Sequence, residues 1–251
     1  GYSEVTRGGI VLCGGRSSRM GAPKAWLPFG GEPLLARVVR TVREAVGPVV
    51  VVAAPGQDVP PLPADVRVVR DEVEDRGPLG GLAAGLAALA GECDAVYLSA
   101  CDAQFLLPAF VRRVVSALAG PTPPGPPSLQ GGGETEPCRS DSVFGAPDAT
   151  SEVTPPPCRE GGPGGVGPRA AAPYIAGRLH PLAAAYRVEV LPVVRAMLAA
   201  NQPRATDLLA RVPTRALGPE EFADVDPELR SLRNLNTPAE YAAALRELGG
   251  S

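Results

Sequence analysis

Residues 9–24 read Gly9-Ile10-Val11-Leu12-Cys13-Gly14-Gly15-Arg16-Ser17-Ser18-Arg19-Met20-Gly21-Ala22-Pro23-Lys24. A short apolar run enters a paired glycine, so it reads as a buried strand ending in a tight loop. Working outward, residues 33–46 place Leu34, Leu35, Val38, Val39, Val42 and Val46 at helical spacing behind a tolerated N-terminal proline. Residues 49–54 are a near-continuous β-branched run, the pattern of a strand covered on both faces. Residues 66–69 give a further strand, 79–90 a helix, 95–99 a strand and 107–118 a helix. Strand and helix therefore alternate, which predicts an α/β fold. The expected architecture is Rossmann-like, three layers α/β/α around a mostly parallel sheet, with ligands at the carboxyl ends of the strands. Those ends are Gly14-Gly15, Ala53-Ala54, Asp71 and Asp102. Order is expected to resume at Tyr174. Beyond it lie a strand or strand-loop over 180–186, helices over 188–200 and 206–210, a strand over 212–217 and a helix over 238–248 capped by Thr237.

The chain has 251 residues, with 24 Lys plus Arg against 27 Asp plus Glu, for a formal charge of −3. That balance excludes a generic nucleic-acid binder with a basic face, though not a small polyanion held in a local cationic pocket. No apolar run is long enough to span a membrane, and the first nine residues lack the apolar core of a secretory signal. Gly and Pro number 30 each and are concentrated between residues 120 and 173, where they make up 24 of 54 positions. Such a composition cannot bury enough apolar surface to order itself. We therefore expect one domain over 1–251 that carries 120–173 as a disordered insertion. Of the five cysteines, Cys13, Cys93 and Cys101 sit in or beside apolar runs and read as small core residues. Cys138 and Cys158 fall in the Pro/Gly stretch without a CxxC pair or nearby histidine, a pattern that fits a reducing cytoplasm.

The glycines after Leu12 let backbone N–H groups approach an anion, and Arg19 and Lys24 can then neutralise phosphate oxygens. The spacing is neither GxGxxG nor GxxxxGK[ST], so this is not a dinucleotide fingerprint or a P-loop. Asp102, at a strand's carboxyl end, reads either as a metal ligand or as a turn residue before the next helix. Asn234 and Asn236 flank Leu235; strand alternation would put both amides on one face, as substrate contacts or as a capping cluster.

The string from Leu12 to Lys24 resembles the LAGGxSxRMGxDK signature of the molybdenum cofactor guanylyltransferases and their nucleotidyltransferase relatives. The similarity continues through Asp71 with Gly77-Pro78-Leu79-Gly80-Gly81, Ser99-Ala100-Cys101-Asp102, His180-Pro181-Leu182 with Tyr186-Arg187, and Asn234-Leu235-Asn236-Thr237-Pro238, in the family's order. The resemblance implies an enzyme that moves GMP from GTP to the terminal phosphate of molybdopterin and releases pyrophosphate, with Mg2+ as cofactor. It implies that Lys24, Arg19 and Asp102 act in catalysis and that Asp102 holds the metal. It further implies that Leu12, Cys13, Gly14, Gly15, Lys24, Asp71, Gly77 and Asp102 bind the nucleotide, and that Asn234 and Asn236 bind molybdopterin. The expected setting is cytoplasmic, with transient contacts to molybdoenzymes or cofactor chaperones and no nucleic acid or membrane partner. His180, the only histidine, has no base to play toward an already ionised phosphate and reads as a cleft-wall or turn residue.

Two departures bear on the base. The family's amide after the second strand is replaced by Val52-Ala53-Ala54-Pro55-Gly56, and the acidic residue before the loop lysine by Pro23. Cytidylyl transfer to molybdopterin is therefore the second reading, and a sugar-phosphate nucleotidyltransferase the third. From another class, a non-catalytic adaptor that hands cofactor to apo-enzymes would not need both Lys24 and Asp102.

Overall fold

The computed structural model describes residues 6–14, 23–71, 77–120 and 167–249. Arg19 and Gly15 lie outside them, as do residues 121–166, the greater part of the expected insertion.

The chain begins with β1 (Arg7–Leu12), then a small antiparallel hairpin, β2 (Pro28–Phe29) and β3 (Glu32–Pro33), leading into α1 (Leu34–Ala45). β4 (Val49–Ala53), β5 (Arg67–Arg70), α2 (Gly77–Leu89), β6 (Ala95–Ala100) and α3 (Pro108–Ser116) follow. After the undescribed stretch come β7 (Ala170–Ile175), β8 (Arg178–Leu179), β9 (Ala183–Arg187), α4 (Leu191–Ala199), α5 (Ala205–Arg211), β10 (Thr214–Leu217) and α6 (Pro238–Gly249).

One sheet of eight strands runs β10-β7-β9-β6-β1-β4-β5, with β8 paired to β7. β6, β1, β4 and β5 are mutually parallel, in the register Leu12 to Ala100 and Leu12 to Val52. β9 is antiparallel to both β6 and β7, so the sheet is mostly but not wholly parallel. β1 is followed in sequence by β4 on one side while β6 returns on the other. The strand order thus reverses at β1, which is where open α/β sheets bind ligands.

The two faces follow directly from alternation along each strand. Val11, Val49, Val51, Ala95 and Tyr97 face α1 and α3, while Ile10, Val50, Val52, Val96 and Leu98 face α2 and α4. Each fully buried Val or Leu contributes roughly 1.5–3 kcal/mol relative to exposure, so the β-branched run of β4, buried throughout, anchors the sheet between β1 and β5. α2 lies close on β1. A Cβ at Gly81 would stand 2.8 Å from Leu12 Cδ2, and one at Gly85 2.7 Å from Ile10 Cδ1. A third cluster, Leu27, Phe29, Leu34, Phe105, Leu235 and Ala244, joins α6 to the hairpin and to the segment after β6. Phe105 packs edge-on to Phe29 at 5.6 Å and lies under the guanidinium groups of Arg230 and Arg233 at 4.4 and 5.0 Å.

Two boundaries differ from the sequence reading. Ala170 to Pro173, assigned to the Pro/Gly insertion, are the first residues of β7, where Ala170–Ala172 are fully buried between β9 and β10. Their small side chains carry little propensity signal, and the strand exists because its neighbours pair with it. A Cβ at Gly167 would stand 3.8 Å from the Gly120 carbonyl, so the chain leaves and re-enters this domain at one place. The strand or strand-loop read over 180–186 is a turn over 180–182 running into β9, with the His180 N–H on the Pro173 carbonyl at 3.0 Å. No helix among the described residues is long and apolar enough to cross a membrane.

Candidate functional site

Lys24 opens a single 3₁₀ turn, Lys24–Trp26, immediately after Pro23. Asp102 stands one residue past Cys101, whose N–H bonds the Leu12 carbonyl at 2.9 Å, so the ends of β1 and β6 are tied together. The Lys24 ammonium lies 2.7 Å from Asp102 Oδ2 and 3.4 Å from Asn236 Oδ1. The side chains of Lys24 and Asp102 are only 17% and 11% exposed. The pair leaves open valences. Asp102 Oδ1 is buried without a hydrogen-bond partner among the described residues, although a carboxylate has room for about four donors.

Residues 233–236 are irregular, not the strand the sequence suggested. The alternation still holds: Leu235 is 1% exposed, while Asn234 and Asn236 face outward. What fixes the segment is Asp102 itself, whose carbonyl accepts from the Leu235 N–H at 3.3 Å. Buried Gln104 adds a second tie: its amide lies against the carbonyls of Asp102 at 2.5 Å and Arg233 at 3.1 Å, and donates to both when the nitrogen is assigned to that side. Gln104 carried no sequence signal, because its function is to satisfy carbonyls brought close only by folding. Thr237 caps α6 as expected, its hydroxyl accepting from the Glu240 N–H at 3.2 Å. Glu240 Oε2 in return accepts from the N–H groups of Asn236 and Thr237 at 2.7 and 3.0 Å. The hydrogen bond from Asn236, with smaller help from Thr237 and Lys24, holds the Glu240 carboxyl below its usual range. The lysine, the aspartate and one of the two predicted amides thus converge; Asn234 shares the segment and is exposed.

Of the other predicted positions, the structure describes Leu12, Cys13, Gly14, Asp71 and Gly77. Cys13 continues β1 with its N–H on the Val52 carbonyl at 2.9 Å. A Cβ at Gly14 would meet the Ala54 nitrogen at 3.2 Å, so the exit of β1 runs against the exit of β4. Asp71 ends β5 with its N–H on the Ala53 carbonyl at 3.1 Å. Gly77 opens α2 in the left-handed region, at φ +59°. Behind it, Gly81 and Gly85 let α2 pack directly on Leu12 and Ile10 of β1. Burial pushes the Cys13 thiol up to about 11 and raises Cys93 and Cys101 as well, as expected of core cysteines. His180 is half-buried in its turn, and desolvation, with Arg178 nearby, lowers its pKa.

Sequence reasoning missed what stitches this side. Ala54-Pro55-Gly56-Gln57 forms a turn with Gly56 at φ +68° and the Gln57 N–H on the Ala54 carbonyl at 3.1 Å, the type II pattern of Pro then Gly. The turn swings the Gln57 amide back, so that Nε2 donates to the Cys13 carbonyl at 2.8 Å and Oε1 accepts from the Ala54 N–H at 3.0 Å. Arg70 donates to the carbonyls of Ala54 and Gln57 at 2.9 and 2.6 Å. Pro55-Gly56 was the available signal; it announces the turn but not what residue 57 would reach. Half-exposed Trp26 donates its indole N–H to the Asp58 carbonyl at 3.2 Å, joining the lysine turn to this same loop.

With this geometry in hand, the chain matches the family described as MobA-like NTP transferase domain over residues 9–216. It is 30% identical over 244 residues to a probable molybdenum cofactor guanylyltransferase of Mycobacterium ulcerans, covering 96% of this chain and 94% of that one. It is 42% identical over 111 residues to a protein of the same name from Mycobacterium avium, a match that spans only 55% of that relative's length and 43% of this chain. Among solved structures, molybdopterin-guanine dinucleotide biosynthesis protein A from Archaeoglobus fulgidus superposes with a TM-score of 0.63 at 17% identity, over 97% of this chain and 100% of that one, a likeness of fold. The chain belongs to the MobA-like NTP transferase family, a family of nucleotide-transferring enzymes.

Proposed function

We propose that this chain transfers GMP from GTP to the terminal phosphate of molybdopterin, forming the guanine dinucleotide cofactor and pyrophosphate. The observation that carries the reading is the convergence of Lys24, Asp102 and Asn236 at the strand-order reversal, with one Asp102 oxygen left unpartnered among the described residues. The names of the relatives supply the acceptor.

The chemistry is an in-line displacement. A phosphate oxygen of molybdopterin bonds to the α-phosphorus, the bond to the bridging oxygen breaks, and pyrophosphate leaves with the electron pair. The attacking oxygen is already ionised, so no general base is required, which agrees with His180 standing in a turn. Catalysis then rests on positioning and on charge stabilisation. The Lys24 ammonium, held between Asp102 and Asn236, donates to phosphate oxygens and stabilises the departing pyrophosphate, with Arg19 as its expected partner. Asp102 is the residue that would hold a magnesium ion. Its free oxygen suits a hard cation that keeps several waters and needs only one or two carboxylates. When bound, the ion neutralises phosphate charge. Leu12, Cys13, Gly14, Asp71 and Gly77 line the nucleotide side, which Gly15 is expected to extend, and Asn234 and Asn236 the molybdopterin side. Transient contacts with molybdoenzymes or cofactor chaperones would follow from the need to deliver the product.

One observation favours a second reading, cytidylyl transfer: the amide nearest the base side, Gln57, is turned onto the protein backbone at both its nitrogen and its oxygen, away from a role in reading guanine. Turnover of molybdopterin with GTP, CTP, ATP and UTP in the presence of magnesium decides between them. The highest kcat/KM is expected for GTP; a higher value for CTP makes this a cytidylyltransferase, and no turnover with any of the four overturns the reading.

A further inference from the structure

The strand order separates the two ends of a nucleotide. On the nucleotidyl-transfer reading, Lys24 and Asp102 gather phosphate at the β1–β6 side, and the nucleoside attached to it would extend across β1 toward the ends of β4 and β5. The surface it meets consists of Cys13, Gly14, Ala54 and Asp71. Parallel strands have no hydrogen bonds beyond their last paired residues to hold their exits together, and the Cys13 carbonyl and Ala54 N–H would each be left without a partner at this point. Gln57 fills both needs with one amide. Arg70 then fixes the turn that carries Gln57 by bonding the carbonyls at the turn's two ends. The amide and the guanidinium, from different strand exits, form one clamp across β1, β4 and β5.

We infer, resting on the nucleotidyl-transfer reading, that Gln57 braced by Arg70 is a positioning residue for the nucleoside half of the substrate. It holds the Cys13–Gly14 wall at the spacing on which the ring and sugar lie, and it does not itself read the base. Gln57→Glu is nearly isosteric and separates the two bonds: its carboxylate still accepts from Ala54 but faces the Cys13 carbonyl with no donor. Arg70→Gln releases the turn from a different residue.

The test measures steady-state kinetics of the full chain at saturating molybdopterin with GTP and with CTP, with pyrophosphate as inhibitor. Each variant is expected to raise KM for both nucleotides by the same factor, about tenfold for a lost bond that leaves a carbonyl unsatisfied. The kcat is expected to stay within about twofold and the pyrophosphate inhibition constant to remain unchanged. An unequal rise for the two bases would mean that Gln57 touches the base, and a weaker hold on pyrophosphate would mean that Arg70 acts through its charge. Either outcome overturns the inference, as does an unchanged KM. Wild-type chain that turns over neither nucleotide overturns the transfer reading and takes this inference with it.

Discussion

The two flanks of β1 are built on opposite principles. Toward β6, polar groups are left underused among the described residues: an aspartate with an unpartnered oxygen and a lysine shared between two acceptors. Toward β4, each end of the one amide is taken by backbone and an arginine ties the turn that carries it. The difference teaches where a ligand's charge is to be accommodated and where the protein has only to hold still. A buried polar group left without a partner is costly, so it persists where something else completes it.

The sharpest way to break this contrast is at Asp102. Asp102→Asn should lower kcat by about 10²–10³, the scale of losing one group that stabilises transition-state charge, while the fold survives. Near-normal turnover at saturating magnesium would remove Asp102 from the chemistry. Lys24→Ala should cost a little less, about 10²-fold in kcat/KM, and Lys24→Arg should restore only part of it, since a planar fork does not replace a point charge. Full recovery with arginine would show that charge alone matters at this position.

Away from the reacting groups the losses should appear in stability. Gly85→Val would drive a side chain into Ile10, and overpacking of this kind costs about 1–3 kcal/mol in chemical denaturation. An unchanged midpoint would show that α2 is free to move away from β1. Thr237→Ala removes the cap of α6 and should cost about 1 kcal/mol; no change would mean that Glu240 alone holds the helix start. The smallest effect is expected from replacing residues 121–166 with a short Gly/Ser linker. Because Gly120 and Gly167 meet, and closure entropy grows only logarithmically with length, shortening should leave the melting midpoint and turnover almost unchanged. Loss of folding would show that the segment contributes to the core.

Much of this could be read in the sequence because its signals are local. The β-branched run of β4, the apolar spacing of α1 and the glycines packed under α2 each state their own environment, and elements were placed to within a few residues. The antiparallel β9 was not legible, since pairing direction depends on where the chain returns. Nor was the start of β7, whose alanines resemble the Pro/Gly stretch beside them until β9 and β10 are in place. At the site, Lys24 and Asp102 stood out by residue type and by strand position. Gln104 and Gln57 did not, because an amide that serves distant carbonyls looks like any other polar residue along the chain.

Trp26 is the only tryptophan in the chain, two residues from Lys24, half-exposed, with its indole N–H on the Asp58 carbonyl. Its emission therefore reports from a single place, at the bridge between the lysine turn and the loop that carries Gln57. An indole whose hydrogen bond or solvent contact shifts changes both the intensity and the colour of its fluorescence. Titrating the protein with a nucleotide should consequently be visible without a label, giving a spectroscopic handle on occupancy that is separate from turnover.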